Sequence, residues 1–105
     1  MTKAKFFTAD GEVAGFIIEG HSTDSAEDNE GKLLCAAVSS AAYMAANTVT
    51  EIIGDKADIG VKDGVMSFKV SSPSDKTKAV LNGLKLHLSE LSKQYGKRLS
   101  VISEV

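Results

Sequence analysis

One cysteine and one histidine in the N-terminal third of the chain have the chemistry of a catalytic pair. Cys35 is the only cysteine, and His21 is one of two histidines. A cysteine nucleophile needs an imidazole within hydrogen-bond reach, which takes the thiol proton and later protonates the leaving amine. Such partners are adjacent in space rather than in sequence. The spacing alone therefore leaves open whether the two groups meet.

The predicted surroundings of Cys35 favour a reactive thiol. We expect it in the first turn of a helix beginning at Leu33, where unbonded N–H groups and the positive end of the helix dipole stabilise a thiolate. Lys32, three residues upstream, would add to that effect. The alternative is a buried and inert thiol, the common state of a lone cysteine. Ser39 follows one helical turn later and lies on the same face of the helix. It could support the histidine or the substrate backbone; the alternative is a small polar residue whose hydroxyl bonds to a backbone carbonyl.

The stretch from Ser22 to Lys32 is predicted to be a loop between the histidine and the cysteine. It is acidic and carries Asp24, Glu27, Asp28 and Glu30 before Gly31. Long loops of this kind are often functional, and we interpret it as a lid that orders over an extended peptide. A solvated surface loop is the alternative.

A metal site is a weaker hypothesis for the same residues. His21, Cys35 and the loop carboxylates have the atom types that bind zinc. No CxxC or HxxxH spacing supports such a site, so we expect neither a metal nor an organic cofactor. His87, in a later helix, is expected at the surface without a role.

Hydrophobic periodicity predicts two hairpins, two helices and a last strand. Asp10-Gly11 and Asp63-Gly64 mark the hairpin turns, and Gly54 and Gly96 end the helices. The predicted elements are strands Lys3–Thr8 and Val13–Glu19, helix Leu33–Ile53 with a core stripe from Leu34 to Ile52, strands around Ala57–Val61 and Met66–Val70, a helix opened by Ser72-Pro73-Ser74-Asp75 with the proline in its first turn, and a strand from Leu99 to Ser103.

This order, ββ-α-ββ-α-β, predicts an α+β fold. Two helices with one apolar stripe each and five alternating strands form a two-layer structure, a mostly antiparallel sheet with both helices packed on one face. The length of 105 residues fits a single domain, 1–105. The second face of the sheet, or the helices, would then be bare, so we expect a homodimer.

Composition excludes several classes of function. A net charge of −2 argues against direct binding of nucleic acid. We see no apolar run long enough for a bilayer, and the first residues turn polar too early for a signal peptide. A single cysteine agrees with a reducing compartment. We therefore expect a cytoplasmic protein without membrane contact.

Gly20-His21, a loop closed by Gly31, and the block Cys35-Ala36-Ala37-Val38-Ser39 resemble the ribosomal-processing cysteine proteases of bacteria. The resemblance implies a small cytoplasmic homodimer that removes the N-terminal extension of a large-subunit ribosomal protein, number twenty-seven. It implies Cys35 as nucleophile and His21 as general acid and base. It also implies that the intervening loop moves when the peptide enters. The supporting or substrate-loop residues are Gly20, Ser22, Asp28, Gly31 and Ser39.

One position departs from the family's pattern. Members commonly carry an aspartate three residues before the cysteine, where this chain has Lys32. If the aspartate orients the histidine or shapes the loop, this protein must do without it or use Asp28 or Asp24 instead. The departure keeps open a non-catalytic dimeric module that binds the same peptide, with Cys35 as a structural residue. A redox sensor is a third alternative, although the chain has no resolving cysteine. For the protease, we expect the N–H groups of Cys35 and Ala36 to bind the oxyanion.

Overall fold

Five strands and two helices follow one another in the predicted order in the computed structural model, which describes residues 1–20 and 28–104. The first helix, α1, continues directly into a π-helical segment, Thr48–Ile53. The elements are β1 Thr2–Ala9, β2 Glu12–Gly20, α1 Asn29–Asn47, β3 Ala57–Lys62, β4 Val65–Val70, α2 Asp75–Tyr95 and β5 Leu99–Glu104. The predicted α+β class is thus confirmed.

The strands form one sheet in the order β3-β4-β2-β1-β5. Neighbouring strands are antiparallel except β1 and β5, which are parallel. The parallel pair arises because α2 crosses over between β4 and β5, as a parallel connection requires. The prediction of a mostly antiparallel sheet is therefore correct.

The core lies between one face of the sheet and the two helices. Three phenylalanines stand side by side on β1, β2 and β4: the ring centroids of Phe6 and Phe16 are 6.0 Å apart, and those of Phe16 and Phe68 are 5.4 Å apart. The predicted stripes of both helices pack above them, with Leu34, Val38, Ala45, Val49, Leu81, Leu84 and Leu88 all buried. Burial of these side chains is the main force that holds the layers together.

The end of the first helical stripe is an exception to the prediction. Ile52 was placed in the core by its spacing from Val49, but it is 79% exposed. Residues 48–53 form a π-helix, which has more residues in each turn than an α-helix. The wider turn rotates Ile52 into solvent and turns Ile53 partly toward the core.

The opposite face of the sheet carries charged groups. Lys5 and Glu19 form an ion pair across β1 and β2 at 3.2 Å, and the Lys69 ammonium lies 5.3 Å from the centre of the Phe7 ring. Long lysine side chains thereby cover the apolar parts of this face. The alternation predicted for the strands accounts for this division into an apolar and a polar face.

The first helix is longer than predicted. It begins at Asn29, one turn before Leu33, because Asp28 caps it by accepting a hydrogen bond from the Gly31 N–H at 3.0 Å. The C-terminal part of the predicted loop Ser22–Lys32 is therefore helical. At the second helix the cap is Ser74, so Pro73 precedes the helix instead of lying in its first turn.

The stretch Asn29–Ile53 also meets the length and composition of a membrane-crossing helix, since an 18-residue window within it has a mean hydropathy of 1.3. The expectation that the chain has no apolar run long enough for a bilayer is therefore wrong by length and composition. A core helix passes the same test, and the buried side of α1 packs on the sheet. The hydropathy of this helix therefore gives no membrane assignment.

Candidate active site

Cys35 lies in the second turn of α1, not in the first. Because α1 begins at Asn29, the N–H groups of Cys35 and Ala36 donate to the carbonyls of Gly31 and Lys32 in the regular helical pattern. The influence of the helix terminus falls off within the first turn. The predictions that Cys35 lies at the helix terminus and that these two N–H groups bind an oxyanion are therefore wrong. The thiol itself is partly exposed.

Cys35 lines a cleft of about 230 Å³ between α1 and one end of the sheet. The predicted residues Gly20 and Ser39 line the same cleft, so three of the proposed site residues come together here. Residues from α1, from the four strands β1 to β4 and from the turn between β3 and β4 form the walls: Thr2, Ile18, Gly20, Cys35, Val38, Ser39, Ala42, Tyr43, Val61, Lys62, Gly64, Val65 and Met66.

Sheet register explains why distant parts of the chain meet at this cleft. Gly20 at the end of β2 is opposite Thr2 at the start of β1, and Thr2 is opposite Leu99 at the start of β5. On the other side, the Gly20 N–H donates to the Gly64 carbonyl at 2.9 Å, in the turn between β3 and β4. This end of the sheet, called the cleft end below, is therefore tied together across all five strands.

Gly20 is required by the backbone at the cleft end. Its φ is +94°, and an added Cβ would lie 2.3 Å from the Met1 carbonyl oxygen. Both the conformation and the space exclude a side chain. The direction in which the chain leaves β2 is thereby set at the residue before His21.

The rest of the predicted dyad lies outside the described residues. His21, Ser22 and Asp24 belong to residues 21–27, so the contact between His21 and Cys35 stays a prediction. The same holds for zinc bound by His21. Within residues 1–20 and 28–104, the structure contains no group of three potential metal ligands.

Asp28 and Gly31 lie at the start of α1 and are not among the residues that line the cleft. Asp28 caps the helix, and its second carboxylate oxygen pairs with the Arg98 guanidinium. Gly31 is a buried residue of the first helical turn rather than the end of a loop. Lys32, at the position of the family's aspartate, is exposed. Whether Asp28 also supports catalysis stays a prediction.

Some of the residues that line the cleft could have been predicted from the sequence, and others could not. Tyr43 lies two helical turns after Cys35 on the same side of α1, so helical spacing would have found it. Thr2 and Lys62 reach the cleft only through the pairing of β1 with β2 and of β3 with β4. The contact of Arg98 with Asp28, outside the cleft, could not have been predicted either, because the two residues are 70 positions apart in the sequence.

Comparison with solved structures finds the same fold in bacterial proteins. The ribosomal processing protease Prp of S. aureus, solved with a covalently linked product peptide, aligns with a TM-score of 0.87 and 18% identity over 99% of this chain and 100% of that one. The same protease with a substrate peptide gives a TM-score of 0.86 at 18% identity, with the same coverage. SMU.848 of Streptococcus mutans gives 0.84 at 17% identity, over 99% of this chain and 96% of that one. At these identities the likeness concerns the fold.

The family model gives the assignment. None of the curated proteins compared matches the chain. The model described as cysteine protease Prp matches residues 1–100, nearly the whole chain. The predicted enzyme class and the predicted family are thereby confirmed. The chain belongs to the cysteine protease Prp family.

Proposed function

We propose that this protein is an endopeptidase that removes the N-terminal extension of large-subunit ribosomal protein number twenty-seven. Cys35 is its nucleophile and His21 its general acid and base. The observation that carries the proposal is the place of Cys35: a partly exposed thiol on the wall of a cleft whose opposite wall includes Gly20, the residue before His21. Membership of a cysteine protease family supports the same assignment.

The reaction follows from the two groups. His21 accepts the thiol proton, and the Cys35 sulfur attacks the scissile carbonyl carbon. The C–N bond breaks as protonated His21 gives its proton to the leaving amine, and a thioester remains. Water, deprotonated by His21, then releases the new carboxylate and restores the thiol. The oxyanion contacts come from groups outside the backbone of α1, since the nearby helical N–H groups are already bonded.

The cleft fits an extended peptide better than a small polar substrate. Several of its buried or partly buried lining residues are apolar, among them Ile18, Val38, Ala42 and Met66, and exposed polar residues such as Ser39 also line it. A lining of this kind takes an apolar side chain of the peptide, while its polar groups bond the peptide backbone. S. aureus Prp, which shares the fold, was solved with a substrate peptide.

We further propose that the protein acts in the cytoplasm as a homodimer and requires neither metal nor nucleic acid. Two surfaces could form the dimer contact: the charged outer face of the sheet, and the side of α1 that exposes the apolar residues Leu33 and Met44. The molecular mass in solution at micromolar concentration tests the dimer, and a monomeric mass contradicts it.

A non-catalytic peptide-binding module is the second candidate. The observation that favours it is Lys32, which stands one turn before Cys35 where the family has an aspartate. In this module the same cleft binds the ribosomal extension, and Cys35 serves only as a packing residue.

A cleavage assay separates the two candidates. Purified protein and Cys35→Ala are each mixed with the extended N-terminus of the host's own ribosomal protein, and the products are weighed by mass spectrometry. Cleavage by the wild type alone supports the protease and identifies the scissile bond. Binding without cleavage by either protein supports the module, and Lys32→Asp is then the first variant to test for recovered activity.

Thiol alkylation gives an independent measure of the dyad. A catalytic Cys35 reacts quickly with iodoacetamide below neutral pH, and His21→Ala changes the pH profile of that reaction. A packing Cys35 reacts only when the protein unfolds. An unchanged profile in His21→Ala contradicts the dyad.

A further inference from the structure

We propose that Arg98 is a positioning residue for proteolysis. It holds the N-terminal end of α1 against the cleft end of the sheet, and so sets the place of Cys35 relative to the point where the chain leaves Gly20 toward His21. The inference rests on the proposed function. It concerns a residue that lies 70 positions from its partner, Asp28, and outside the walls of the cleft.

The contacts of Arg98 join three charged groups at the start of α1. Its Nη1 donates to Asp28 Oδ2, and its Nε lies 3.7 Å from Glu30 Oε1. The other oxygen of Asp28 accepts from the Gly31 N–H at 3.0 Å. One carboxylate therefore caps the helix and binds the guanidinium. The Asp28 side chain is only 12% exposed, and limited contact with water strengthens a charge-assisted hydrogen bond of this kind.

The backbone of Arg98 is itself anchored. Arg98 directly precedes Leu99, which is buried and whose carbonyl accepts from the Ser92 hydroxyl at 2.7 Å. Leu99 is opposite Thr2, and Thr2 is opposite Gly20. With neighbouring strands roughly 4.8 Å apart, residues 20 and 99 lie on the order of 10 Å apart at the cleft end. The guanidinium therefore extends from a fixed point close to Gly20.

Both described residues that flank positions 21–27 are thereby tied to the sheet. Gly20 is held by the Gly64 carbonyl, and Asp28 is held by Arg98. The apolar contacts of α1 below Cys35, through Leu34 and Val38, do not depend on Arg98. Loss of the guanidinium should therefore leave the fold intact while it loosens the start of the helix.

Catalysis is more sensitive than folding to such a change. A misplacement of about 1 Å between reacting groups lowers a rate on the order of 100-fold. We expect Arg98→Met to lower kcat by about 10- to 100-fold, with a smaller change in KM, because Arg98 does not line the cleft that binds the peptide.

Steady-state kinetics with the peptide substrate test the proposal on Arg98→Met and four further variants. Asp28→Asn keeps a good helix cap but removes the charge, so it should lower kcat as Arg98→Met does. The double variant should be no slower than Arg98→Met, since Asp28→Asn removes an interaction that Arg98→Met already removes. Arg98→Lys keeps the positive charge and should recover part of the activity. Lys93→Met, which removes the exposed 3.2 Å pair with Glu90 on α2, is the matched control and should keep wild-type kinetics.

Three kinetic results would overturn the proposal: wild-type kcat in Arg98→Met, wild-type kcat in Asp28→Asn, or losses that multiply in the double variant. If Arg98→Met does not fold, as checked by thermal unfolding, Asp28→Asn and Arg98→Lys carry the same test.

Alkylation of Cys35 by iodoacetamide distinguishes this inference from the proposed function, because it needs no substrate. If the wild type fails to cleave, the proposed function fails. A slower alkylation of Arg98→Met than of the wild type still supports the positioning role, and an equal rate overturns it.

Discussion

The two ends of the sheet each use an aspartate to hold the start of a helix, but the surroundings of the two carboxylates differ. At the cleft end, Asp28 caps its own helix and pairs with Arg98. At the far end, Asp55 follows the π-helical segment and binds the start of the other helix, α2. Its Oδ2 accepts from the Ser74 N–H at 2.9 Å, from the Ser74 hydroxyl at 2.8 Å and from the Thr77 hydroxyl at 2.6 Å.

Neutral donors surround the carboxylate of Asp55, which is itself only partly buried. Thr77 is completely buried, and its hydroxyl is the largest of the hydrogen-bonding influences that lower the pKa of Asp55 below its ordinary value of 3.8, followed by the N–H and the hydroxyl of Ser74. Short hydrogen bonds at the far end thus join the segment that follows α1 to the start of α2.

The two ends of the sheet differ in what they contribute: the far end stabilises the fold, and the cleft end holds the proposed site of the chemistry. Asp55, Ser74 and Thr77 at the far end are not among the residues that line the cleft beside Cys35, and their polar atoms bond to one another. The cleft end leaves about 230 Å³ open beside a thiol and is held by an ion pair and one glycine. Substitutions at the two ends should therefore affect different measurements.

The largest effect should come from Cys35→Ala at the cleft end. Loss of the nucleophile should lower kcat/KM by at least roughly 10⁴-fold, while the free energy of unfolding changes by less than about 1 kcal/mol, because alanine is well tolerated in a helix. Peptide kinetics and urea unfolding measure the two quantities. Residual cleavage near the wild-type rate would contradict the assignment of Cys35.

Gly20→Ala and Gly54→Ala compare two glycines with nearly the same left-handed backbone. Gly20 has φ +94° with a backbone oxygen 2.3 Å from the added Cβ, whereas Gly54 has φ +90° with nothing within 4 Å. Gly54→Ala should lower the free energy of unfolding by about 1–2 kcal/mol from strain alone. Gly20→Ala should lower it by more than about 3 kcal/mol. Equal losses in urea unfolding would show that the Met1 carbonyl moves aside readily.

Thr77→Val should affect stability without affecting cleavage. The substitution keeps the shape of the buried side chain but removes the hydroxyl donor to Asp55, which should lower the free energy of unfolding by about 1–2 kcal/mol. The value of kcat/KM for the peptide should stay within about twofold of wild type, since the far end does not contact the cleft. Thr77→Ser keeps the donor and serves as the control. A value of kcat/KM well below half that of the wild type in Thr77→Val would contradict the division of roles between the two ends of the sheet.

The smallest effect should be the pH dependence of Asp55→Asn. Because the folded pKa of Asp55 is lowered, its ionised form stabilises the fold above the unfolded pKa, and that contribution disappears as the pH falls through the folded value. The wild type should therefore be more stable than Asp55→Asn at pH 7, and the gap should narrow below about pH 4. Urea unfolding of both proteins from pH 7 to pH 3 measures it, and a gap independent of pH would rule out this carboxylate as the cause.

Much of the fold was predictable because it depends on local patterns. Alternating strands and two apolar stripes predicted the order of the elements and the two layers. The predicted stripe failed at Ile52, because residues 48–53 form a π-helix, whose turn is wider than the α-helical period on which the stripe rests. The start of α1 was missed by one turn because Asp28 looked like part of an acidic loop. Its capping role is supported by Arg98, which lies far away in the sequence.

Gly20-His21 and the block that begins at Cys35 were enough to recognise the family from the amino-acid sequence, and they predicted Cys35 and His21 as the catalytic pair. The position of Cys35 in the second turn of α1, the cleft that it shares with Ser39 and Gly20, and the contact of Arg98 with the start of the helix could be seen only in the folded protein. Residue type and short-range spacing encode chemistry and secondary structure, whereas strand register and contacts between distant charges arise only when the layers pack.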